Sequence, residues 1–316
     1  EQPHPPHSVD AQSAPRDNRE TRGGDTQASP LDKGGKRGVD GRPGGELTLR
    51  NVDATDKPAT VGSVDFIILG VKTWQVQDAA DVMRPLLGPE TAILPLQNGV
   101  EVSDQLSEVL GRKHVLGGAC RIIAYKTAPN RITHVGVKPY IAVGELDNHK
   151  SARVETLVRA LLDAGISGRN PPDIHVAVWN KFLFFAPVSG VGSVTRSPLG
   201  VIRTVPPTRQ LVLNAMNEVR RLAAAKGVKL ADDAVEKTMA FLDGMPPEGT
   251  TSVQRDIIEG RPSELEAVSG AVVRISRDLG VDTPTHDFIY AALLPAELEA
   301  RRIAARAGAR QDTANQ

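Results

Sequence analysis

The hydrophobic pattern of the chain changes near residue 170, and this change constrains the fold more than any other feature. Before it, short apolar runs alternate with stretches that place an apolar residue every three or four positions. Residues 64–71 show the first pattern, and residues 75–87 show the second, with an apolar stripe that includes Val82. Strands that alternate with helices of this length predict βαβ units and a mostly parallel sheet.

Further signals extend this α/β region. Residues 93–96 and 115–118 predict two more strands, and residues 102–110 predict a short helix between them. Residues 120–144 alternate apolar and polar side chains, which favours a late antiparallel pair. A helix with apolar positions from Val154 to Leu162 follows, and the Gly- and Pro-containing segment 167–172 is the predicted domain boundary.

After this boundary the strand signals stop. Helix-type patterns predict an all-helical second domain. The predicted helices cover residues 178–187, 209–226, 231–242, 263–279 and 287–306. The expected organisation is therefore an α/β domain over residues 46–170 and a helical domain over residues 171–308.

The two ends of the chain lack these patterns. Residues 1–45 contain eight Gly and six Pro and no aromatic residue, and no window has helical or strand periodicity. Such a composition favours a disordered or aberrant leader. Residues 309–316 are expected to form a disordered tail.

Composition narrows the classes of function. Lys plus Arg and Asp plus Glu both number 38, so the formal net charge is zero. A neutral chain argues against nucleic acid or an anionic membrane as a partner. No apolar run is long enough to predict a membrane span. Cys120 is the single cysteine, which excludes an internal disulfide and favours a reducing cytoplasm. Its simplest interpretation is a small buried residue.

Polar residues follow two of the predicted strands. Lys72 comes directly after the strand at 64–71, and Asn98 follows the strand at 93–96. Open α/β sheets bind ligands at the carboxyl ends of their strands, where a lysine meets phosphate or carboxylate and an amide donates to a ribose or carbonyl. The alternatives are a solvated loop lysine and an ordinary Asn-Gly turn.

A lysine surrounded by bulky apolar residues is the second notable feature. Lys181 stands in the segment Trp179–Phe185. Burial disfavours an ammonium charge and lowers the lysine pKa, which suits a general acid that protonates a developing alkoxide. The alternative is a lysine whose stem covers apolar surface while its head reaches water. Ser189 lies two helical turns further on the same face, provided that the helix continues through Pro187.

Charged residues at 250–266 admit structural explanations. Ser263 and Glu266 match a capping box, which predicts a helix that starts there. Glu264 would then lie in the first helical turn, where the helix dipole favours a carboxylate. Asp256 is expected to pair with a neighbouring arginine. No two histidines have metal-ligand spacing, so no metal site is predicted.

Taken in order, eight short segments resemble the ketopantoate reductase family. They span most of the chain after residue 46 and keep the order and spacing of the family. They are residues 71–73, 96–100, 179–181, 197–200, 251–252, 255–256, 260–262 and 263–264.

This resemblance implies a Rossmann-type domain joined to a helical domain, with the active site in the cleft between them. It implies reduction of 2-dehydropantoate to pantoate with NADPH, in pantothenate and coenzyme A synthesis. By position, Lys181 matches the general acid and Glu264 the carboxylate that organises the cofactor and substrate. Lys72 and Asn98 match cofactor contacts. Asn98, Ser189 and Ser252, with Lys181, are expected to contact the substrate. A homodimer is also expected.

Two departures from the family leave alternatives open. The family opens with a strand and G-x-G-x-x-G, and this sequence has no such motif. One hypothesis is that the leader replaces the first βαβ unit, in which case the chain is a catalytically impaired remnant. Many relatives also place asparagines one and two turns after the lysine, whereas Phe185 and Ser189 stand here. The second alternative is therefore a reductase of another 2-keto acid.

Overall fold

A computed structural model describes residues 52–136 and 138–314, with side chains as far as residue 307. They all fall in one compact unit, Gly38–Gln316. The predicted leader lies outside the described residues. The first half contains alternating strands and helices. These are β1 (Val64–Leu69), α1 (Val76–Met83), β2 (Leu87–Pro95), α2 (Val102–Leu110) and β3 (Leu116–Arg121).

The sheet is parallel where βαβ units were predicted. β1 pairs in parallel with β2, and a parallel bridge between Ile93 and Val115 links β2 to the start of β3. The parallel arrangement brings the carboxyl ends of β1, β2 and β3 to one edge. The prediction of a Rossmann-type sheet with a mostly parallel core is confirmed.

Four further strands and one helix complete the α/β half. They are β4 (Ala124–Ala128), β5 (Arg131–His134), β6 (Tyr140–Glu145), α3 (Ala152–Asp163) and β7 (Ser167–Arg169). β4 and β5 form an antiparallel hairpin, and β6 pairs antiparallel with β3. This confirms the antiparallel character predicted for residues 120–144.

The predicted boundary segment differs from expectation because it contains a strand. β7 pairs in parallel with β6, with Gly168 opposite Ile141. A Cβ atom on Gly168 would lie 3.0 Å from the Cβ of Leu161 on α3. The glycine therefore allows the strand to pack closely against α3. Composition alone had suggested that this segment is a linker between domains.

Two apolar positions of the predicted helices do not lie in the core. Val82 on α1 and Leu162 on α3 are each 54% exposed. The buried residues of α1 are Val76, Ala80 and Met83, whose spacing of four and then three defines one face, and Val82 lies off that face. The stripe also ends at Met83, because a 3-10 turn follows.

The second half consists of helices alone among the described residues, as predicted. They are α4 (Ile174–Thr195), α5 (Leu199–Thr204), α6 (Pro206–Ala225), α7 (Ala234–Asp243), α8 (Ser252–Ile258), α9 (Ser269–Leu279) and α10 (Pro284–Ala314). α10 reaches Ala314, so the helix continues into the tail that was expected to be disordered from residue 309.

α4 forms the centre of the helical core. Asp173 caps it by accepting from the backbone N–H of His175 at 2.8 Å. The helix is longer than predicted and continues through Pro187, whose neighbours Ala186 and Val188 are fully buried. Proline in a helix interior costs free energy, because it removes one backbone hydrogen bond. The packing of its buried neighbours in the core offsets this cost.

α4 is also long and apolar enough to cross a membrane, although the sequence analysis predicted no membrane-spanning run. It is the one such helix in the described part of the chain, and 56% of its apolar window is buried inside the protein. Its residues are apolar because α4 packs against α6, α8 and α10 in the helical core.

Candidate active site

The loops after β1 and β2 are joined at the carboxyl edge of the sheet. Gln97 donates from Nε2 to the carbonyl oxygens of Leu69, at 3.0 Å, and Val71, at 2.9 Å. These bonds fix the loop that carries Lys72 beside the loop that carries Asn98. Gln97 was not among the predicted site residues, although its position between a strand and the Asn-Gly turn was a usable signal.

Glu264 crosses from the helical half to this edge. Its carboxylate accepts from Asn98 Nδ2 at 2.7 Å and from the backbone N–H of Thr73 at 3.2 Å. The side chain is only 4% exposed. A buried carboxylate is retained where hydrogen bonds satisfy its charge, and here both donors come from the α/β half.

The local explanation predicted for Glu264 is wrong. α9 begins at Ser269, so Glu264 lies in a turn before the helix. Ser263 does not form a capping box with Glu266. Its Oγ accepts from the Leu265 N–H at 3.2 Å and donates to Glu297 Oε2 at 2.5 Å. Its own N–H donates to Glu297, and Glu266 accepts from the Tyr290 hydroxyl at 2.7 Å. Partners on α10 thus take the place of the Ser263–Glu266 pairing that the spacing suggested.

Lys72 makes a second contact between the two halves. Its Nζ lies 3.0 Å from Asp256 Oδ2 on α8. Asp256 also accepts from Arg261 at 2.8 Å, so the predicted pairing with an arginine is present. The same ammonium lies 5.7 Å from the ring centroid of Trp74. Lys72 is therefore anchored at the sheet edge while 42% of its side chain stays exposed.

Lys181 is a partly buried lysine without a hydrogen-bonding partner among the residues described. Burial lowers its pKa, and the charges of Cys120 and Glu264 act in the opposite direction. Glu264, Asn98 and Lys72 meet at the junction of the two halves, and the charge of Glu264 acts on the Lys181 ammonium.

The two serines lie on helices that pack together. Ser189 is completely buried on α4, and its Oγ has no hydrogen-bonding partner. Ser252 is the first residue of α8, whose N-terminus is capped by Thr251 accepting from the Gln254 N–H at 3.2 Å. α8 packs on α4 where Gln254 meets Gly192. No hydrogen bond joins either serine to Lys181 in the described residues.

Cys120 is a site residue that the sequence analysis missed. Burial raises the pKa of its thiol, and the positive charge of Lys181 lowers it. The residue lies next to the carboxyl end of β3, the same edge that carries Lys72 and Asn98. That position was a signal, but a lone cysteine in an apolar strand is typical of core packing.

The described residues fit the nicotinamide end of a dinucleotide cofactor. A carboxylate, an amide and a lysine converge at the carboxyl edge of parallel strands, where such cofactors bind. Gln97 Oε1 is buried there without a partner. Glu264 and Asn98 are suited to ribose hydroxyls, and Lys72 to a phosphate or carboxylate.

Comparison with known proteins identifies the family. The model for ketopantoate reductase PanE/ApbA matches residues 22–148, and the model for its C-terminal part matches residues 173–297. The 2-dehydropantoate 2-reductase of Nostoc sp. is 27% identical over 251 residues, covering 78% of each chain.

Solved structures agree with this result. The 2-dehydropantoate 2-reductase from Geobacter metallireducens has a TM-score of 0.75 and 28% identity, covering 80% of this chain and 84% of its own. A dimeric ketopantoate reductase from Staphylococcus aureus has a TM-score of 0.67 and 25% identity, covering 76% of this chain and 79% of its own. With both halves matched in order, the chain belongs to the ketopantoate reductase family of oxidoreductases.

Proposed function

We propose that this protein reduces 2-dehydropantoate to (R)-pantoate with NADPH, and that Lys181 is the general acid. The observation that carries the proposal is the Lys181 ammonium, which has no hydrogen-bonding partner among the described residues and whose pKa responds to the charge of Glu264. Glu264 itself binds Asn98 and the backbone of Thr73. A cation and a carboxylate that act on each other in this way support a site where one group donates a proton and the other binds the cofactor.

The chemistry follows from the charge that forms during reduction. The cofactor, when bound, supplies a hydride to the C2 carbon of the substrate. Negative charge then develops on the carbonyl oxygen, and the Lys181 ammonium both stabilises it and transfers a proton to it. A lysine with a lowered pKa releases its proton more readily than an ordinary lysine, so the burial of Lys181 favours this role.

The remaining residues hold the reactants. Glu264 and Asn98 bind the ribose of the nicotinamide end, and Lys72 contacts the cofactor from the sheet edge. Asn98 also reaches the substrate. Ser252 donates a hydrogen bond to the substrate from the N-terminus of α8, where backbone N–H groups favour an anion. Ser189 extends the substrate site along α4, and its buried hydroxyl without a partner supports that role.

NADPH binding tests the first alternative, a remnant without catalysis. Titration of the purified chain with NADPH, followed by nicotinamide fluorescence, should give saturable binding that weakens in Glu264→Ala. Absence of binding by the full chain would favour the remnant, in keeping with the missing G-x-G-x-x-G.

A panel of 2-keto acids tests the second alternative. Phe185 stands where an asparagine is usual in the family, and it packs against the core of the helical half. If 2-dehydropantoate gives a lower kcat/KM than a 2-keto acid with a larger apolar side chain, the protein is a related reductase of that acid.

The cellular location and the oligomeric state of the protein follow from the same proposal. A reductase of coenzyme A synthesis that depends on NADPH is expected in the cytoplasm. The Staphylococcus aureus relative is described as dimeric, which supports a homodimer here. Light scattering after gel filtration tests this assembly, and a monomer mass at micromolar concentration would argue against it.

A further inference from the structure

Arg121 is an exposed arginine held between two aromatic rings at the end of β3. Its guanidinium carbon lies 5.6 Å from the ring centroid of Tyr140 and 5.8 Å from that of Phe241. Tyr140 is its pairing partner on β6, so the first of these contacts is fixed by the register of the sheet. No carboxylate pairs with Arg121 in the described part of the chain.

The two rings lie on either side of Lys181 along α4. Tyr140 shares a small apolar cluster with Ala177. Phe241, on α7, meets the ring of Phe184 edge-on at 5.1 Å between centroids. Residues 177, 181 and 184 share one face of a helix because their spacing is four and then three. Arg121 therefore extends along the face of α4 from which Lys181 projects.

Cys120, the residue before Arg121, indicates where this end of β3 lies, because the charge of Lys181 acts on its thiol. Side chains alternate along a strand, so the position of the Arg121 side chain itself rests on its contacts with Tyr140 and Phe241. Of the other cations near the cleft, Lys72 pairs with Asp256, and Arg261 pairs with Asp256 and Glu259, whereas Arg121 has no carboxylate partner among the described residues.

Stacking prepares a guanidinium for one kind of ligand. Aromatic rings within 6 Å attract the guanidinium charge without using its N–H groups as donors to an acceptor. These N–H groups form the planar fork that binds a carboxylate through two parallel hydrogen bonds. We propose that Arg121 binds the carboxylate of the 2-keto acid substrate and so determines specificity for acids over neutral ketones. The inference rests on the proposed function and deepens it.

The proposal also explains how the carbonyl is aligned. The carboxylate carbon is bonded to C2, so holding it at Arg121 keeps the C2 carbonyl oxygen beside Lys181. Arg121 fixes the orientation of the substrate, and Lys181 supplies the proton.

The test compares 2-dehydropantoate with its neutral amide, 2-dehydropantoamide. In Arg121→Gln the KM for the acid should rise by about 10- to 100-fold, the range for a lost charge-assisted hydrogen bond, whereas kcat should change little. The KM for the amide should stay within about twofold of wild type. Arg159→Gln, at an exposed position on α3, is the matched control and should alter neither value.

Two results would overturn the proposal. One is an unchanged KM for the acid in Arg121→Gln. The other is an equal rise in KM for the acid and the amide, which would mean that Arg121 only supports the fold. Arg121→Lys retains the charge without the planar fork, so its KM for the acid should lie between those of wild type and Arg121→Gln.

Calorimetric binding of 2-dehydropantoate separates this proposal from the proposed function. If wild type turns over neither compound, the proposed function fails, yet weaker acid binding by Arg121→Gln would still support the carboxylate site. Equal binding by both proteins, or binding by neither, would overturn it. Thermal melts of all variants exclude unfolding as the cause.

Discussion

Lys181 occupies a position that favours chemistry over stability. An ammonium that is partly buried and has no hydrogen-bonding partner in the described chain destabilises the fold, because lost hydration is not replaced. Nearby, Glu264 supplies a compensating charge but not a hydrogen bond. Such sites are where stability is given up for function.

Replacement of this lysine by an apolar residue should therefore stabilise the protein. Lys181→Met should raise the free energy of unfolding at pH 7 by about 0.5 to 2 kcal/mol, measured by urea titration. The folded-state pKa of Lys181 lies below its unfolded value, so the unfolded chain binds more protons between the two. Wild-type stability rises with pH in that window, and the advantage of Lys181→Met should shrink there.

The matched control is Lys229→Met, because Lys229 is at an exposed position. It should change stability by no more than about 0.5 kcal/mol. A clear loss of stability in Lys181→Met would mean that the ammonium has a satisfied role in the fold.

The pH dependence of the reaction should depend on Glu264. A general acid must be protonated, so the rate falls as pH rises through the pKa of Lys181. The negative charge of Glu264 raises that pKa against the effect of burial. In Glu264→Gln the alkaline limb of the kcat profile should move to lower pH. Glu155→Gln, exposed on α3, should leave the limb in place, and a shift to higher pH in Glu264→Gln would contradict this assignment.

Cys120 offers a chemical probe of the same charge. It is the single cysteine of the chain, so alkylation by iodoacetamide reports on one position. Burial raises the thiol pKa and Lys181 lowers it. Lys181→Met should raise the thiol pKa further, reduce the thiolate fraction and slow alkylation at pH 8. An unchanged rate, with Lys229→Met as the reference, would place Lys181 too far away.

At the scale of elements, the loop after β2 depends on a glycine. Gly99 has φ +97°, and a Cβ atom there would lie 2.7 Å from the carbonyl oxygen of Ala267. That residue lies in the same turn as Glu264, whose carbonyl accepts from the Ala267 N–H at 3.1 Å. The Asn98 loop and the Glu264 turn can therefore approach each other closely only because residue 99 has no side chain.

This close approach leads to a matched pair of variants. Gly111 has φ +90° but nothing within 4 Å of a built Cβ, so Gly111→Ala measures backbone strain alone. Gly99→Ala should lose about 1 to 3 kcal/mol more than Gly111→Ala in urea unfolding, owing to the added collision. It should also weaken NADPH binding. Equal losses in the two variants would show that the loops do not need this contact.

Predictability from the sequence also differs between elements. The β1–α1–β2–α2–β3 order and the helical second half followed from periodicity, because each element buries an apolar stripe or run. The path of α4 through Pro187 and the start of α9 at Ser269 did not follow. Tertiary packing overrides the local preference of Pro187, and Glu297 takes the hydrogen bond that the Ser263 capping box would have used.

At the scale of the whole molecule, several side-chain contacts among the described residues join the two halves around the site. Glu264 receives hydrogen bonds from Asn98 and Thr73, Lys72 pairs with Asp256, and Arg274 on α9 pairs with Glu101 at 2.8 Å. Motif resemblance singled out Lys72, Asn98 and Glu264 but could not pair them, because Asn98 and Glu264 stand 166 residues apart. Arg121 and Cys120 matched no motif and emerged only from the packing of β3 against α4.

The most direct test of the account is the single-turnover rate of NADPH oxidation with 2-dehydropantoate, followed by nicotinamide absorbance, in wild type and Lys181→Ala. Transfer of a proton by a positioned acid typically contributes about 100-fold or more, so the account predicts at least that loss in the variant, with NADPH affinity retained. A loss of only a few-fold would contradict the role of Lys181 as the proton donor.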